Sequence, residues 1–289
     1  MNGSVARTGS HHRSGNSGPR RFALVAGLAV TALLLPVAAQ AAWYPDSMAS
    51  TGDSITRAYN TGFFPFVDNP GGSWSTGTNT SVASHYSRLL ALNPAIRGRS
   101  YNDAKSGARM ADLNGQMAGV LSQHADYATV LMGGNDVCTS SPATMTSVDA
   151  FTTQFRTAMN TLTAGSPTTR IYVVSIPSVS RLWSTLKGSA TARFVWSLFG
   201  VCQSMLKNPL STATADVERR AAVDQRERDF NDALESVCAD YNRCRFDGNA
   251  VFNFAFSAAD ISGRDYFHPS LTGQKDIAAG TWAAGFFAP

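Results

Sequence analysis

Four times in this chain a short run of small, β-branched or aromatic residues is punctuated by glycine or proline and gives way to a longer amphipathic stretch. The runs are "SMAST" before Gly52, "RSYNDA" before Ser106-Gly107, "YATVLMGG", and "RIYVVSIP" ending at Pro177. Residues of this kind suit a pleated, buried surface, and proline closes a strand because it has no N–H to donate. The intervening stretches carry apolar residues three and four positions apart: Val82, Tyr86, Leu89 and Leu90; then Met110, Leu113, Met117 and Leu121; then Phe151, Phe155, Met159 and Leu162. That period is helical. A charged helix in "DVERRAAVDQRERDFNDALESVCADY", a short strand in "CRFDG" and a last helix in "LTGQKDIAAGTWAAGFF" complete the alternation. Strands separated by helices pair in parallel, so the expectation is an α/β fold: a three-layer α/β/α sandwich around a parallel sheet. Residues 178–212, with Trp183, Phe194, Trp196 and Phe199, interrupt the pattern and read as a helical or lid-like excursion.

The start of the chain is of a different kind. Arg7, Arg13, Arg20 and Arg21 lie in a polar opening, the uncharged run "FALVAGLAVTALLLPVAA" follows, and the small residues Ala39 and Ala41 flank Gln40. This is the layout of a secretory signal peptide over residues 1–41, with cleavage expected after Ala41 and residues 42–289 left as one exported domain. The competing reading is an uncleaved anchor, but the run contains Pro36 and sits at the short end of the ~17–25 residues that a spanning helix needs. The full chain has 24 Lys+Arg and 20 Asp+Glu. The four leader arginines account for the whole excess, so the domain is formally neutral. No basic stripe, zinc-finger spacing or RNA-binding aromatic signature appears, and no nucleic-acid partner is expected.

All four cysteines, Cys138, Cys202, Cys238 and Cys244, follow the leader. In an oxidising space an even count suggests two disulfides, with three pairings open. We expect Cys238–Cys244, which closes the short "CADYNRC" loop, and Cys138–Cys202 by elimination. Free thiols are the alternative. No Cys-x-x-Cys pair supports structural zinc.

In a parallel sheet, sites collect beyond the carboxyl ends of the strands. Three loops there carry chemistry: Gly52-Asp53-Ser54, Ser106-Gly107 and Gly133-Gly134-Asn135. Ser54 reads as a turn residue, a helix cap or a nucleophile, and as a nucleophile it needs a base. His11 and His12 belong to the leader. His85 and His124 fall in or at the end of expected helices and read as structural. His268, in "GRDYFHPS", has Asp265 three residues before it. A carboxylate there can fix one imidazole nitrogen and leave the other to take the serine proton. Pro269 keeps the pair in a loop. Asn135 and the backbone N–H groups of Gly107 and Ser54 are candidate donors to an oxyanion.

"GDSIT", Gly107, "GGND" and "DYFHPS", in this order, resemble the four blocks of the SGNH (GDSL-type) hydrolase superfamily over about residues 46–285. The stretch from "GGNDVCT" to "DYFHPSLTGQKDIA" is similar to its secreted bacterial esterase and lipase members, the phospholipase-B-like branch among them. The resemblance implies a flavodoxin-like sheet, with Ser54 as nucleophile, His268 as base, Asp265 as its orienting acid, and Ser54, Gly107 and Asn135 as the oxyanion hole. The second block departs from the family's usual run, which makes Ser106 the neighbour to weigh against Gly107. The Gly-x-Ser-x-Gly elbow of α/β-hydrolases is absent. The expected activity is hydrolysis of carboxylic esters through an acyl-enzyme, with no metal or organic cofactor. Lipid or fatty-acyl esters are the first expectation. A carbohydrate acetyl esterase is the second, and an inactive secreted binding protein of the same fold the third. The aromatic stretches "GFFPF" and "FNFAF" fit an acyl pocket, a transient contact with a lipid surface, or the core; core packing is the commonest fate of such residues and is the expectation adopted. Oligomeric state is not legible in the sequence.

Overall fold

Period-two alternation along the strands sorts their side chains between two cores. The computed structural model describes residues 43–287 and, before them, only the isolated positions Gly9, Gly15 and Gly18. Apart from these three glycines, the expected leader lies outside the described residues. The five strands are β1 (Met48–Gly52), β2 (Ser100–Asn102), β3 (Tyr127–Leu131), β4 (Arg170–Val173) and β5 (Cys244–Phe246), all paired in parallel in the order β2-β1-β3-β4-β5. In β3, Ala128 and Val130 enter one core while Tyr127 and Leu131 enter the other; in β4, Ile171 and Val173 oppose Tyr172. Side chains alternate between the two faces of a strand, so a sheet buried on both sides must be a middle layer.

Helices α1 (His85–Leu92), α2 (Met110–Ser122), α3 (Gly134–Val137), α4 (Val148–Gly165), α5 (Val179–Leu186), α6 (Ala190–Leu198), α7 (Gln203–Leu206), α8 (Thr214–Ala239), α9 (Ala250–Asn253) and α10 (Leu271–Ala284) connect and cover the strands. The larger core takes most of its helical side chains from α2, α4 and α8, including Leu113, Phe155 and Leu234, and the rest from α3 and α5–α7, including Leu186, Trp196 and Met205. Phe151 of α4 stacks on Phe230 of α8 with ring centroids 3.9 Å apart. The second core collects Tyr86 and Leu89 of α1 and Ile277 and Ala278 of α10. This is the expected three-layer α/β/α arrangement with the flavodoxin-like strand order.

The expected helix from Val82 begins later, at His85, because the Ser84 hydroxyl accepts the Ser87 N–H and caps the first turn. The excursion at residues 178–212 is helical: it contains α5, α6 and α7. Several bonds pin it to the body, two of them near its middle and its end. The Trp196 indole donates to the Tyr266 carbonyl at 2.9 Å, and the Ser204 N–H donates to the Thr139 carbonyl at 2.8 Å. Both expected disulfides form. Cys138–Cys202 joins the end of α3 to the start of α7, and Cys238–Cys244 joins α8 to β5. None of the described helices is long and apolar enough to cross a membrane.

"GFFPF" departs from the expectation of core packing. Phe63, Phe64 and Phe66 are 90%, 67% and 50% exposed. They sit in the long loop between β1 and α1, whose buried anchor is Trp74 instead: its N–H donates to Gln274 Oε1 at 2.9 Å. "FNFAF" divides. Phe252 is buried, and Phe256 reaches the cleft described below.

Candidate active site

β1 ends at a residue that only glycine can be. Gly52 has φ of 142°, and a Cβ there would lie 2.4 Å from the Leu131 carbonyl oxygen of β3. Glycine lets the two strands stay close while the chain turns away from the sheet. Gln116 of α2 holds both backbone groups of this turn: it accepts the Gly52 N–H at 2.7 Å and donates to the Gly52 carbonyl at 2.9 Å. Asp53 is buried next to it, and its carboxylate accepts the Ile55 N–H at 2.9 Å. Burial pushes the Asp53 carboxyl up to about 6, against the lowering pull of the Ile55 N–H and the His268 ring. Ser54 therefore emerges from a fixed turn at the carboxyl end of β1, where the strand order reverses between β1 and β3.

His268 reaches this serine from the other end of the chain. Its Nε2 lies 2.8 Å from Ser54 Oγ, and its Nδ1 lies 2.7 Å from Asp265 Oδ2. The loop that carries both residues is closed by an antiparallel bridge between Ile261 and Pro269, and by the Ser262 N–H donating to the His268 carbonyl at 2.8 Å. Asp265 is well supplied with donors. The backbone N–H groups of Phe267 and His268 reach Oδ1 at 2.9 Å and 3.0 Å, and the Asn60 amide donates to Oδ2. Burial pushes the Asp265 carboxyl upward, but the His268 ring and these N–H groups outweigh it and hold the carboxyl below its ordinary range.

Of the three expected oxyanion donors, Ser54 and Asn135 line one cleft, and Gly107 lies on a neighbouring loop. The Lys105 N–H donates to the Gly52 carbonyl at 3.1 Å, which ties the loop bearing Gly107 to the nucleophile turn. One Asn135 amide hydrogen is given to the Ala108 carbonyl at 2.9 Å, which fixes the side chain. The N–H groups of Ser54 and Gly107 donate to no partner among the described residues. Gly107 has φ of 82° and open space where a Cβ would go, so backbone conformation rather than crowding calls for glycine. The Ser106 hydroxyl, the alternative, is engaged with Asp68.

Ser54, Asn135 and His268 line a cleft whose walls are largely apolar: Ile55, Ile176, Val179, Leu182, Phe256 and Phe267. Gly107 stands outside this lining. Gln116 and Asn60, which hold the nucleophile turn and the acid, escaped the sequence reading. Gln116 is a polar residue within an apolar helical stripe, and Asn60 is a loop asparagine 205 positions from the Asp265 it meets, so neither carries a local signal. His85, read as structural, is fully buried and bonded to Tyr127 and Thr281.

Residues 51–275 match the sequence model of the GDSL-like Lipase/Acylhydrolase family. The chain belongs to this family. The match begins one residue before Gly52 and ends beyond His268, so it contains all four blocks that suggested it. No curated protein matches the chain by sequence. Among solved structures, a candidate GDSL-like lipase from Parabacteroides merdae is similar at a TM-score of 0.52 and 18% identity, over 83% of this chain and 96% of that one. This likeness supports the fold. An extracellular lipase from Streptomyces rimosus (TM-score 0.47, 17% identity, 83% of this chain and 99% of that chain) is also similar. So is a family 3 carbohydrate esterase from Clostridium thermocellum (0.46, 14%, 82% and 92%). Membership of the family makes the chain a GDSL-type hydrolase.

Proposed function

We propose that this GDSL-family protein is an exported serine esterase that hydrolyses lipid or fatty-acyl esters through Ser54, His268 and Asp265. One observation carries the reading: an unbroken hydrogen-bond chain from Ser54 Oγ through both His268 nitrogens to Asp265, at the mouth of an apolar cleft. Ser54 Oγ attacks the ester carbonyl carbon while its proton passes to His268 Nε2. The tetrahedral oxyanion is held by the Ser54 and Gly107 N–H groups and the free Asn135 amide hydrogen. His268 then returns the proton to the departing alcohol oxygen. Water, deprotonated by the same nitrogen, attacks the acyl-enzyme; the carboxylic acid leaves and Ser54 Oγ regains its proton. Asp265 stays ionised throughout and orients the ring.

Aliphatic and aromatic walls support an acyl chain as the group bound, because apolar surface removed from water contributes about 25 cal/mol per Å². Two disulfides and the signal-like opening of the sequence support export. The experiment is a substrate panel of p-nitrophenyl esters of rising chain length, phospholipid micelles and acetylated xylan, run on the wild type and on Ser54→Ala. Turnover that rises with acyl length and vanishes in Ser54→Ala, together with fluorophosphonate labelling at Ser54, is expected. Turnover confined to acetylated xylan would replace the lipid reading with a carbohydrate one. Wild-type turnover in Ser54→Ala would end the assignment.

A further inference from the structure

The aromatic loop departs from the rim of the candidate site. Tyr59, whose ring centroid is 4.9 Å from that of His268, and Asn60, which donates to Asp265, lead directly into Thr61–Val67. The loop is held from within and from outside. Asn60 Oδ1 accepts the Phe66 N–H, and the Arg264 guanidinium donates to the carbonyls of Gly62, Phe63 and Phe64 at 2.7 Å, 3.0 Å and 2.6 Å. Every one of these bonds serves the backbone, and the phenyl rings are left facing water. Phe66 also has φ of 60°, a left-handed conformation that glycine or asparagine adopts at lower cost. Its ring contacts Phe199, centroid to centroid 5.9 Å, and so joins the loop to the end of α6. There the apolar surface continues: Phe194 and Leu198, one helical turn apart, and Phe199 are 65%, 60% and 58% exposed. α6 is in turn fixed to the candidate catalytic loop through Trp196 and the Tyr266 carbonyl.

A group of six large apolar side chains, backed by rigid bonds and rooted beside a nucleophile, is not an accident of surface composition. On the α6 side the charge has one sign: residues 178–215 carry Arg181, Lys187, Arg193 and Lys207 and no acid. On the loop side Arg57 is paired with Asp68 at 3.0 Å, and Arg264 is the cation that holds the loop. Arg193 precedes Phe194 and donates to the Lys187 carbonyl at 2.8 Å, so cations stand at the edge of the patch. Apolar side chains flanked by Lys and Arg are the composition of a surface that enters the headgroup region of an anionic bilayer.

We propose that loop 61–67 and the outer face of α6 dock onto an anionic lipid–water interface, which brings the cleft to esters within that interface. The inference names where the proposed lipid esterase meets its substrate and rests on that reading; binding is therefore measured apart from hydrolysis. The exported protein, residues 42–289, carrying Ser54→Ala is floated with phosphatidylcholine vesicles with and without phosphatidylglycerol, and compared with the same protein carrying Phe63→Ser and Phe64→Ser. Loss of two rings is expected to lower the partition constant about 10-fold or more. Phosphatidylglycerol should raise binding and added salt should lower it. With Ser54 intact, the Phe63→Ser/Phe64→Ser protein should keep its rate on a dissolved short ester, since neither side chain lines the cleft, and lose rate on vesicles. Equal vesicle binding by parent and variant, or none by either, overturns the docking surface. So does a concentration-dependent dimer, seen by light scattering, that the variant loses, because a second copy of the chain then covers the patch. Vesicle binding by a wild type that cleaves no ester overturns the esterase reading and leaves the surface standing; ester cleavage without vesicle binding does the reverse.

Discussion

Asn60 shows how much of a site can rest on a residue with no chemistry of its own. Its φ of 65° is one that asparagine tolerates better than most side chains, and that conformation turns its amide toward Asp265 and its carbonyl oxygen toward the Phe66 N–H. It is a positioning residue: it acts on substrate only through Asp265 and His268. Asn60→Gly keeps the backbone conformation and removes both bonds. A hydrogen bond to a charged group is worth about 1.5–3 kcal/mol, and part of that should appear in the barrier. We expect kcat on a dissolved short ester to fall about 10-fold with KM little changed, because Asn60 does not line the cleft. A change in KM alone would show that the asparagine shapes the binding surface instead. Asn60 was invisible in the sequence because nothing local pairs it with Asp265. Ser54, His268 and Asp265 were legible because each sits in a short motif whose residue types have few other joint uses.

At the level of elements, the excursion α5–α7 governs the cleft's wall. Val179 and Leu182 of α5 line it, and buried Glu227 of α8 receives the Val179 N–H at the first turn of that helix. Cys138–Cys202 ties the far end of the excursion to the segment after β3, across a sequence separation of 64, whereas Cys238–Cys244 spans 6. On the chain-entropy scale, loops of these lengths correspond to about 4 and about 2 kcal/mol. Denaturant unfolding of Cys138→Ser/Cys202→Ser should therefore show roughly twice the loss of stability of Cys238→Ser/Cys244→Ser. Equal losses would mean that the excursion is held by Trp196, Ser204 and its packing alone. The helical content of 178–212 was hard to read because its apolar residues serve three surfaces at once: Trp196 is buried, Leu182 faces the cleft, and Phe194 and Leu198 face solvent.

For the molecule as a whole, His85 sets a pH dependence of stability. It is fully buried between α1, β3 and α10, with Nδ1 3.1 Å from the Tyr127 hydroxyl and Nε2 2.9 Å from Thr281 Oγ1. Burial, with a smaller contribution from Arg88, lowers it from 6.5 to about 3. The unfolded chain takes up this proton below about pH 6.5 and the folded chain refuses it until about pH 3, so the stability is complete above the first value and is lost as pH falls through the window. Asp53 has the opposite sign. Raised from 3.8 to about 6, it favours the fold at low pH and loses that contribution as pH rises through about 6. Comparison with His85→Gln isolates the histidine. Between pH 7 and pH 4, the wild type should lose about 3 kcal/mol of unfolding free energy relative to that variant. Parallel pH profiles would contradict a neutral, buried His85.

The sequence by itself determined the layered architecture, the order of the elements, the family, and the identity of the three side chains in the Ser54–His268–Asp265 chain. These depend on local periodicity, on glycine and proline punctuation, and on short motifs, all of which are readable within a dozen residues. Only the tertiary structure decided which polar groups hold those side chains in place and where the spare aromatics go. Gln116 on Gly52, Asn60 on Asp265 and the outward set of Phe63 and Phe64 arise from contacts between distant segments. A phenylalanine has the same local preferences whether it is packed in a core or presented to water, and only the surrounding fold makes that choice.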